Sequence, residues 1–178
     1  MSGAKHSHGT NRWGTPEDIV ERGRRVMGSI DLDPCSEAFF NATVKATTYY
    51  SFLERGEDGL VLPWYGNVFL NPPGEEKGKK RMKYVPRFWE RLLTQPDVKQ
   101  GIYIGFTNEQ LGILADAIAH PSDFSICFLR TRIPFDPHTG EASSPAHANF
   151  VTGVNVDHDA FVKEFGPLGK VQKGPLCR

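Results

Sequence analysis

The stretch GNVFLNPP, residues 66–73, joins an apolar run to a rigid polar corner. The apolar residues 68–70 are typical of a buried strand. Pro72 and Pro73 have no backbone N–H and a fixed φ, so a strand ladder cannot continue through them. The stretch therefore predicts a strand that stops at Asn71 and holds this side chain in a fixed corner.

A second strand is expected to end in the same way further upstream. The segment 29–33 reads as a short strand, and Asp33-Pro34-Cys35 follows it directly. Pro34 cannot extend a ladder, so this strand also stops at a proline corner. In α/β sheets, ligands bind outside the carboxyl ends of the strands, so both corners are expected to face one crevice.

The rest of the chain alternates between strand and helix patterns. Predicted strands cover residues 29–33, 42–50, 66–70, 101–106, 124–129 and 150–154. Predicted helices cover residues 15–27, 84–94, 107–118 and 157–165. In the first helix Thr15 is the expected cap and Pro16 the first helical residue. Such alternation predicts an α/β sheet with a mainly parallel core, an antiparallel edge, and helices on both faces.

Length and composition limit the classes of protein to consider. The 178 residues predict a single domain over 13–178, preceded by a flexible tail over 1–12. Twenty-one Lys and Arg residues balance 21 Asp and Glu residues, which argues against a protein that coats nucleic acid. Five cations in the seven residues 77–83 nevertheless indicate a local basic surface.

The cysteines and the apolar runs indicate an intracellular, soluble protein without a metal centre. The three cysteines are widely spaced and form neither a C-x-x-C pair nor a metal-ligand pattern with histidine, so they are interpreted as reduced thiols. No segment reaches the roughly 18 consecutive apolar residues that a membrane span needs. His6 and His8 form an H-x-H pair on the polar N-terminal segment, and no metal is expected there.

The corner at Asn71 has a chemical interpretation beyond ending a strand. Asn71 Oδ1 and a backbone oxygen such as that of Pro72 would present two neutral acceptors in a fixed relation. Two converging acceptors suit an NH₂ group, whose nitrogen would gain nucleophilicity toward a methyl sulfonium donor held in line. Asn-Pro also opens many ordinary turns, so the tripeptide alone leaves both interpretations open.

Six blocks of sequence together resemble a known family, the phage and prophage DNA N6-adenine methyltransferases of the Dam-like type. They are "WGTPEDIV" (13–20), "DLDPCS" (31–36), "EDGLVLPWYGNVFLNPP" (57–73), "FWERL" (88–92), "IYIGFTNEQL" (102–111) and "ICFLRTRIPF" (126–135). The blocks follow the order of that family and span most of the chain from Trp13 to about residue 165.

The resemblance implies a Rossmann-like methyltransferase fold, S-adenosylmethionine as methyl donor, DNA as partner, and a bacterial cytoplasmic location for a phage- or prophage-encoded enzyme. It implies that the catalytic corner is Asn71, Pro72 and Pro73. It also implies a set of residues at the cofactor, which comprises Thr15, Pro16, Asp33, Pro34, Cys35, Asp58 and Asn71.

The sequence departs from the family pattern at one position, and the resemblance also implies a surface that contacts nucleic acid. Position 74 is Gly74, where the family has an aromatic residue that stacks on the target base. The ring could instead come from another aromatic residue, the candidates being Phe135, Tyr65, Trp64 and Phe106. The expected nucleic-acid contacts are Lys77, Lys79, Lys80, Arg81, Arg132 and Phe135.

The sequence thus predicts transfer of a methyl group to adenine N6 in DNA. Methylation of an RNA base is the nearest alternative, because Asn-Pro-Pro corners also occur in enzymes that act on RNA. A protein that binds the cofactor or nucleic acid without catalysis is the alternative from another class, and the glycine at position 74 is the feature that favours it.

Overall fold

The computed structural model describes residues 13–73, 84–106, 123–136 and 148–174. The helices among them are α1 (Glu17–Met27), α2 (Ala38–Val44), α3 (Phe52–Arg55), α4 (Tyr84–Thr94) and α5 (His158–Phe165), followed by a 3₁₀ turn over Gly166–Leu168. The strands are β1 (Leu32–Asp33), β2 (Thr48–Tyr49), β3 (Tyr65–Leu70), β4 (Asp97–Phe106), β5 (Phe124–Leu129), β6 (Asn149–Val154) and β7 (Gly169–Gly174). The predicted helix over 107–118 lies outside the described residues.

The strands form one mixed sheet in the order β2-β1-β3-β4-β6-β5-β7. The first four strands pair in parallel, whereas β6 is antiparallel to both β4 and β5, and β7 is antiparallel to β5. A mainly parallel core was predicted, and parallel pairing is confirmed for the first four strands in this order. The antiparallel part is larger than the predicted edge, since it includes half of the strand pairings.

Apolar side chains cover both faces of the sheet. On β3, Phe69 belongs to one buried cluster with Ile19 of α1 and Phe161 of α5. Its neighbours Val68 and Leu70 belong to a second cluster that contains the buried face of α4. Alternate residues of a strand point to opposite faces, so helices pack on both sides of the sheet, as predicted.

Helix α1 starts one residue later than predicted and without the predicted cap. Pro16 is its N-cap residue and no side chain caps the helix. The Pro16 carbonyl accepts from the N–H groups of Ile19 and Val20, both at 3.1 Å. The expectation that Thr15 caps the helix is therefore wrong, because its hydroxyl is engaged by Asn71 instead.

The predicted strand over 42–50 is wrong for most of its length. Residues 38–44 form α2, and only Thr48 and Tyr49 form a strand. The Asn41 side chain explains the end of this helix, because its Oδ1 accepts from the Ala46 N–H at 3.0 Å and its Nδ2 donates to the Ala46 carbonyl at 3.3 Å. Lys45 takes the left-handed conformation at φ 51°, which turns the chain toward β2.

Two other elements differ from expectation. Strand β4 begins four residues before the predicted 101–106, and strand β7 was not predicted at all. The segment 169–174 contains two glycines and two lysines, so its composition gives no strand pattern. It forms a strand because it pairs along the whole of β5.

Candidate active site at the carboxyl edge of the sheet

The two proline corners lie next to each other at one edge of the sheet. Strand β1 lies between β2 and β3 in the sheet. The chain therefore leaves β1 toward one side to form β2, and then crosses to the other side of β1 to form β3. Ligands of open α/β sheets bind at such a switch point, outside the carboxyl ends of the strands. Because Leu32 pairs with Val68, the turn after Asp33 and the corner at Asn71 meet there, as predicted.

The Asn71 carboxamide is held in one orientation by the start of the described chain. Its Nδ2 donates to the Trp13 carbonyl at 2.7 Å and to Thr15 Oγ1 at 3.2 Å. A carbonyl oxygen only accepts, so the amide nitrogen must be the atom that faces Trp13. Asn71 Oδ1 therefore points away from these partners and remains an acceptor, which is the role the sequence assigned to it.

The turn after β1 contacts the same corner from its other side. Asp33 is buried, and its Oδ1 accepts from the Cys35 N–H at 3.2 Å, which closes the turn around Pro34. The Cys35 thiol donates to the Asn71 carbonyl at 3.3 Å. Thr15, which precedes the first helix, and Cys35 on this turn are thus linked through Asn71.

The turn that carries Asp58 packs directly against the β1 turn. Asp58 Oδ1 accepts from the Leu60 N–H at 2.8 Å, and this hydrogen bond within the turn fixes its conformation. A Cβ atom on Gly59 would lie 1.8 Å from the Pro34 carbonyl oxygen. Only glycine allows the two turns to approach this closely, so Asp58 lies near the predicted cofactor turn. The hydrogen bond from the Leu60 N–H to its carboxylate stabilises the local turn.

Arg91 of α4 stabilises the turn that carries Asp58. Its guanidinium donates to the Leu60 carbonyl at 3.0 Å and to the Leu62 carbonyl, and it lies over the Trp64 ring. Burial lowers the pKa of Arg91, and the nearby Asp58 carboxylate partly opposes that shift. The half-buried cation therefore has a structural role in this turn.

A small cavity of about 10 Å³ lies beside the corner. Asn71 and Pro72 form one wall, and the carboxyl end of β4 and the segment after β5 form the others. Its lining residues are Asn71, Pro72, Val85, Tyr103, Ile104, Gly105, Phe106, Phe135 and Asn149. The cavity thus combines polar groups at the corner with aromatic walls.

The structure separates the four aromatic candidates for the ring expected at position 74. Phe106 and Phe135 line the cavity, with ring centroids 6.0 Å apart. Trp64 is 1% exposed and donates its Nε1 to the Gly59 carbonyl, so it is a core residue. Tyr65 begins β3, about five residues and 17 Å from the strand's other end, so it lies at the wrong edge.

The predicted nucleic-acid contacts are only partly within the described residues. Arg132 is exposed on the segment after β5, between the strand end and the buried Phe135. This segment is fixed to the start of the chain, because Gly14 and Asp136 exchange two backbone hydrogen bonds of 2.7 and 2.9 Å. Gly74 and the cations Lys77, Lys79, Lys80 and Arg81 lie outside the described residues.

Sequence reasoning missed two parts of the site, the Trp13 carbonyl and Asn149. A backbone carbonyl carries no sequence signal, and Asn149, which precedes the predicted strand over 150–154, was not assigned any role. Asn149 is 1% exposed, accepts from the Ile133 N–H at 3.1 Å through Oδ1, and lines the cavity with Asn71.

Across residues 13–73, 84–106, 123–136 and 148–174, no cluster of three or more His, Cys, Asp or Glu side chains is arranged to bind a metal ion. The same residues include no helix with the length and apolar character of a membrane span. The comparisons with protein-family models, curated proteins and solved structures give no match to this chain.

Proposed function

We propose that the chain is an S-adenosylmethionine-dependent methyltransferase with a Rossmann-like sheet, and that it methylates the N6 amine of adenine in DNA. The observation that carries this proposal is the fixed orientation of Asn71, whose Nδ2 is held by Trp13 and Thr15. Its Oδ1 is left as an acceptor beside Pro72 on the wall of a cavity. The resemblance of the six sequence blocks to Dam-like enzymes supports the choice of adenine and DNA.

The oxygen-rich edge suits a positively charged methyl donor. Asp33, Asp58 and the hydroxyl of Thr15 lie on the segments that meet around Asn71. Carboxylate, hydroxyl and carbonyl oxygens attract a cation, and Gly59 allows the two turns to approach closely. S-adenosylmethionine, when bound, supplies a methyl group attached to a positively charged sulfur. After transfer of the methyl group, this sulfur is part of a neutral thioether.

The corner would act on the amine by accepting a hydrogen bond from each of its two N–H groups. Asn71 Oδ1 and the Pro72 carbonyl accept from the NH₂ group, which favours the pyramidal form whose lone pair is available for attack. The same bonds stabilise the positive charge that grows on nitrogen, and the extra proton passes to solvent water once the new carbon–nitrogen bond has formed. Neither role requires a histidine or a carboxylate as nucleophile.

The aromatic walls would replace the ring that is absent at Gly74. Phe106 and Phe135 both line the cavity that contains Asn71 and Pro72. Phe135 is 3% exposed and packs in the core, so it would form a fixed wall, whereas Phe106 is half-buried at the end of β4. A base taken out of its stack is held in such sites between aromatic or apolar side chains.

The test measures the rate of methyl transfer from S-adenosylmethionine to single-stranded DNA, double-stranded DNA and RNA. It compares the native chain with the Asn71→Ala variant. The expected result is transfer to DNA by the native chain and a loss of about 100-fold or more in Asn71→Ala, because one acceptor of the amine is removed. Asn41→Ala is the matched control, since Asn41 closes α2 away from the corner.

Each alternative gives a different result in this assay. Transfer to RNA alone would replace DNA as the substrate while keeping the role of the corner. Binding of S-adenosylmethionine without transfer to any of the three nucleic acids would contradict the enzyme and favour a purely binding role.

A further inference from the structure

Asn149 lies on the cavity wall, next to the end of β4. It begins β6 and pairs with Phe106, the last residue of β4, so it lies at the same edge of the sheet as Asn71. It is 1% exposed, and it lines the cavity together with Asn71 and Pro72. A buried amide here adds a further polar side chain to a largely apolar wall.

The orientation of the Asn149 carboxamide is fixed by one hydrogen bond. Its Oδ1 accepts from the Ile133 N–H at 3.1 Å. A backbone N–H only donates, so the amide oxygen must be the atom that faces Ile133. The Nδ2 is buried, and among the described residues it has no hydrogen-bond partner.

A buried donor without a partner is unfavourable, and buried polar groups of this kind usually have a partner in the functional state. Asn71 and Pro72 carry acceptors on the cavity wall, whereas Asn149 on the same wall carries a buried donor. The three groups together therefore complement a ligand that presents an NH₂ group beside a hydrogen-bond acceptor.

We infer that Asn149 is a specificity residue, which donates Nδ2–H to a ring nitrogen adjacent to the amine that is methylated. This inference rests on the proposed function and names the part of the base that the site reads. Adenine carries its amine between N1 and N7, and both of these ring nitrogens accept hydrogen bonds. Guanine places an oxygen where adenine has the amine, so it would face Asn71 Oδ1 with an acceptor.

The test compares native chain and Asn149→Asp on three unmethylated duplex DNAs of the same sequence. One contains adenine, and the others contain 1-deazaadenine or 7-deazaadenine at every adenine position, so that each lacks one ring acceptor. Asp keeps an oxygen for the Ile133 N–H but removes the donor. Asn155→Asp is the matched control, because Asn155 follows the other end of β6 and its Oδ1 also accepts from a backbone N–H, that of Asp123 at 3.2 Å.

The expected result is a loss of about 10-fold in kcat/KM for Asn149→Asp on adenine DNA. The native chain should lose a similar factor on one of the two deaza DNAs, and Asn149→Asp should add no further loss on that DNA. Asn155→Asp should resemble the native chain on all three.

Equal losses for Asn149→Asp on all three DNAs would overturn the inference, because a structural role does not depend on the base. Equal rates of the native chain on all three DNAs would also overturn it, whether or not the variant folds. A native chain that methylates no DNA overturns the proposed function and this inference together, so the two failures are distinguishable.

Discussion

Asn71 shows what residue type alone can predict. An asparagine before two prolines indicated a fixed pair of acceptors, and the structure places this side chain on a cavity wall. The acceptors of its Nδ2 are Trp13 and Thr15, which precede it by 58 and 56 residues. Contacts over such distances depend on the packing of the chain, so the sequence could not predict that Thr15 holds Asn71 instead of capping α1.

Replacement of Thr15 by Val tests this contact. The change is nearly isosteric, keeps the Trp13 bond and removes one acceptor of Asn71 Nδ2. We expect a decrease of about 3- to 10-fold in the kcat of methyl transfer, and a decrease of at most about 1 kcal/mol in the free energy of unfolding. Steady-state kinetics and urea denaturation measure the two effects.

Thr94→Val is the control, because the Thr94 hydroxyl bonds the Glu90 carbonyl at 2.8 Å at the end of α4 and does not contact the corner. It should leave kcat unchanged. Equal kcat values for Thr15→Val and Thr94→Val would show that Thr15 does not orient Asn71.

Cys127 provides a pH-dependent prediction. Burial raises the pKa of its thiol from 9.0 to about 11, although Arg130 opposes the shift. The folded chain therefore keeps the proton between pH 9 and pH 11, where an unfolded chain releases it. The contribution of this thiol to stability is full below about pH 9 and is lost as the pH rises toward 11.

At pH 8 we expect Cys127 in the folded chain to react with iodoacetamide at least about 100-fold more slowly than in urea, because two pKa units reduce its thiolate fraction by that factor. Mass spectrometry of the peptide that contains Cys127 measures the rate. Similar rates in the folded and unfolded chain would contradict the buried, protonated thiol.

At the scale of elements, periodicity predicted best where one face is buried. The bounds of α4 and β5 agree with the prediction because an amphipathic helix and a buried strand have clear patterns. The segment 42–50 was misassigned because its Thr, Val and Tyr residues favour strands, whereas Asn41 and the packing of Val44 decide the structure. Strand β7 depends on its pairing with β5, which composition does not reveal.

The close approach of two turns gives a prediction at this scale. Gly59→Ala would place a Cβ atom 1.8 Å from the Pro34 carbonyl oxygen. We expect the free energy of unfolding to fall by about 1–3 kcal/mol, since backbone must move to accept the methyl group. The Kd for S-adenosylmethionine should rise as well, because the displaced turn carries the predicted cofactor residues. Urea denaturation and calorimetric titration measure the two quantities.

Gly166→Ala is the matched control. Gly166 has helical dihedrals, and its nearest neighbour to a new Cβ, a methyl carbon of Val162, is 3.8 Å away. This variant should be as stable as the native chain, or about 0.4–1 kcal/mol more stable. Unchanged stability and cofactor affinity in Gly59→Ala would contradict the packing of the two turns.

At the scale of the whole molecule, the zero formal net charge means that nucleic acid must be bound by a local surface. The proposal assigns this surface to four cations that follow the corner in sequence, and we expect their joint replacement by Gln to weaken DNA binding. The slope of log K against log salt should become shallower by about 0.9 for each phosphate contact that is lost. The residues changed are Lys77, Lys79, Lys80 and Arg81.

A control with the same change in net charge separates local contact from overall electrostatics. It replaces four lysines outside the basic run, namely Lys45, Lys99, Lys163 and Lys173. If both quadruple variants change the salt slope equally, the basic run is not the binding surface.

The most direct test of the central claim is the product formed from labelled S-adenosylmethionine and unmethylated DNA, after digestion to nucleosides. The account predicts label in N6-methyladenine for the native chain and loss of that label in Asn71→Ala. A native chain that binds S-adenosylmethionine but labels no adenine would contradict the account, and so would an Asn71→Ala variant with undiminished transfer.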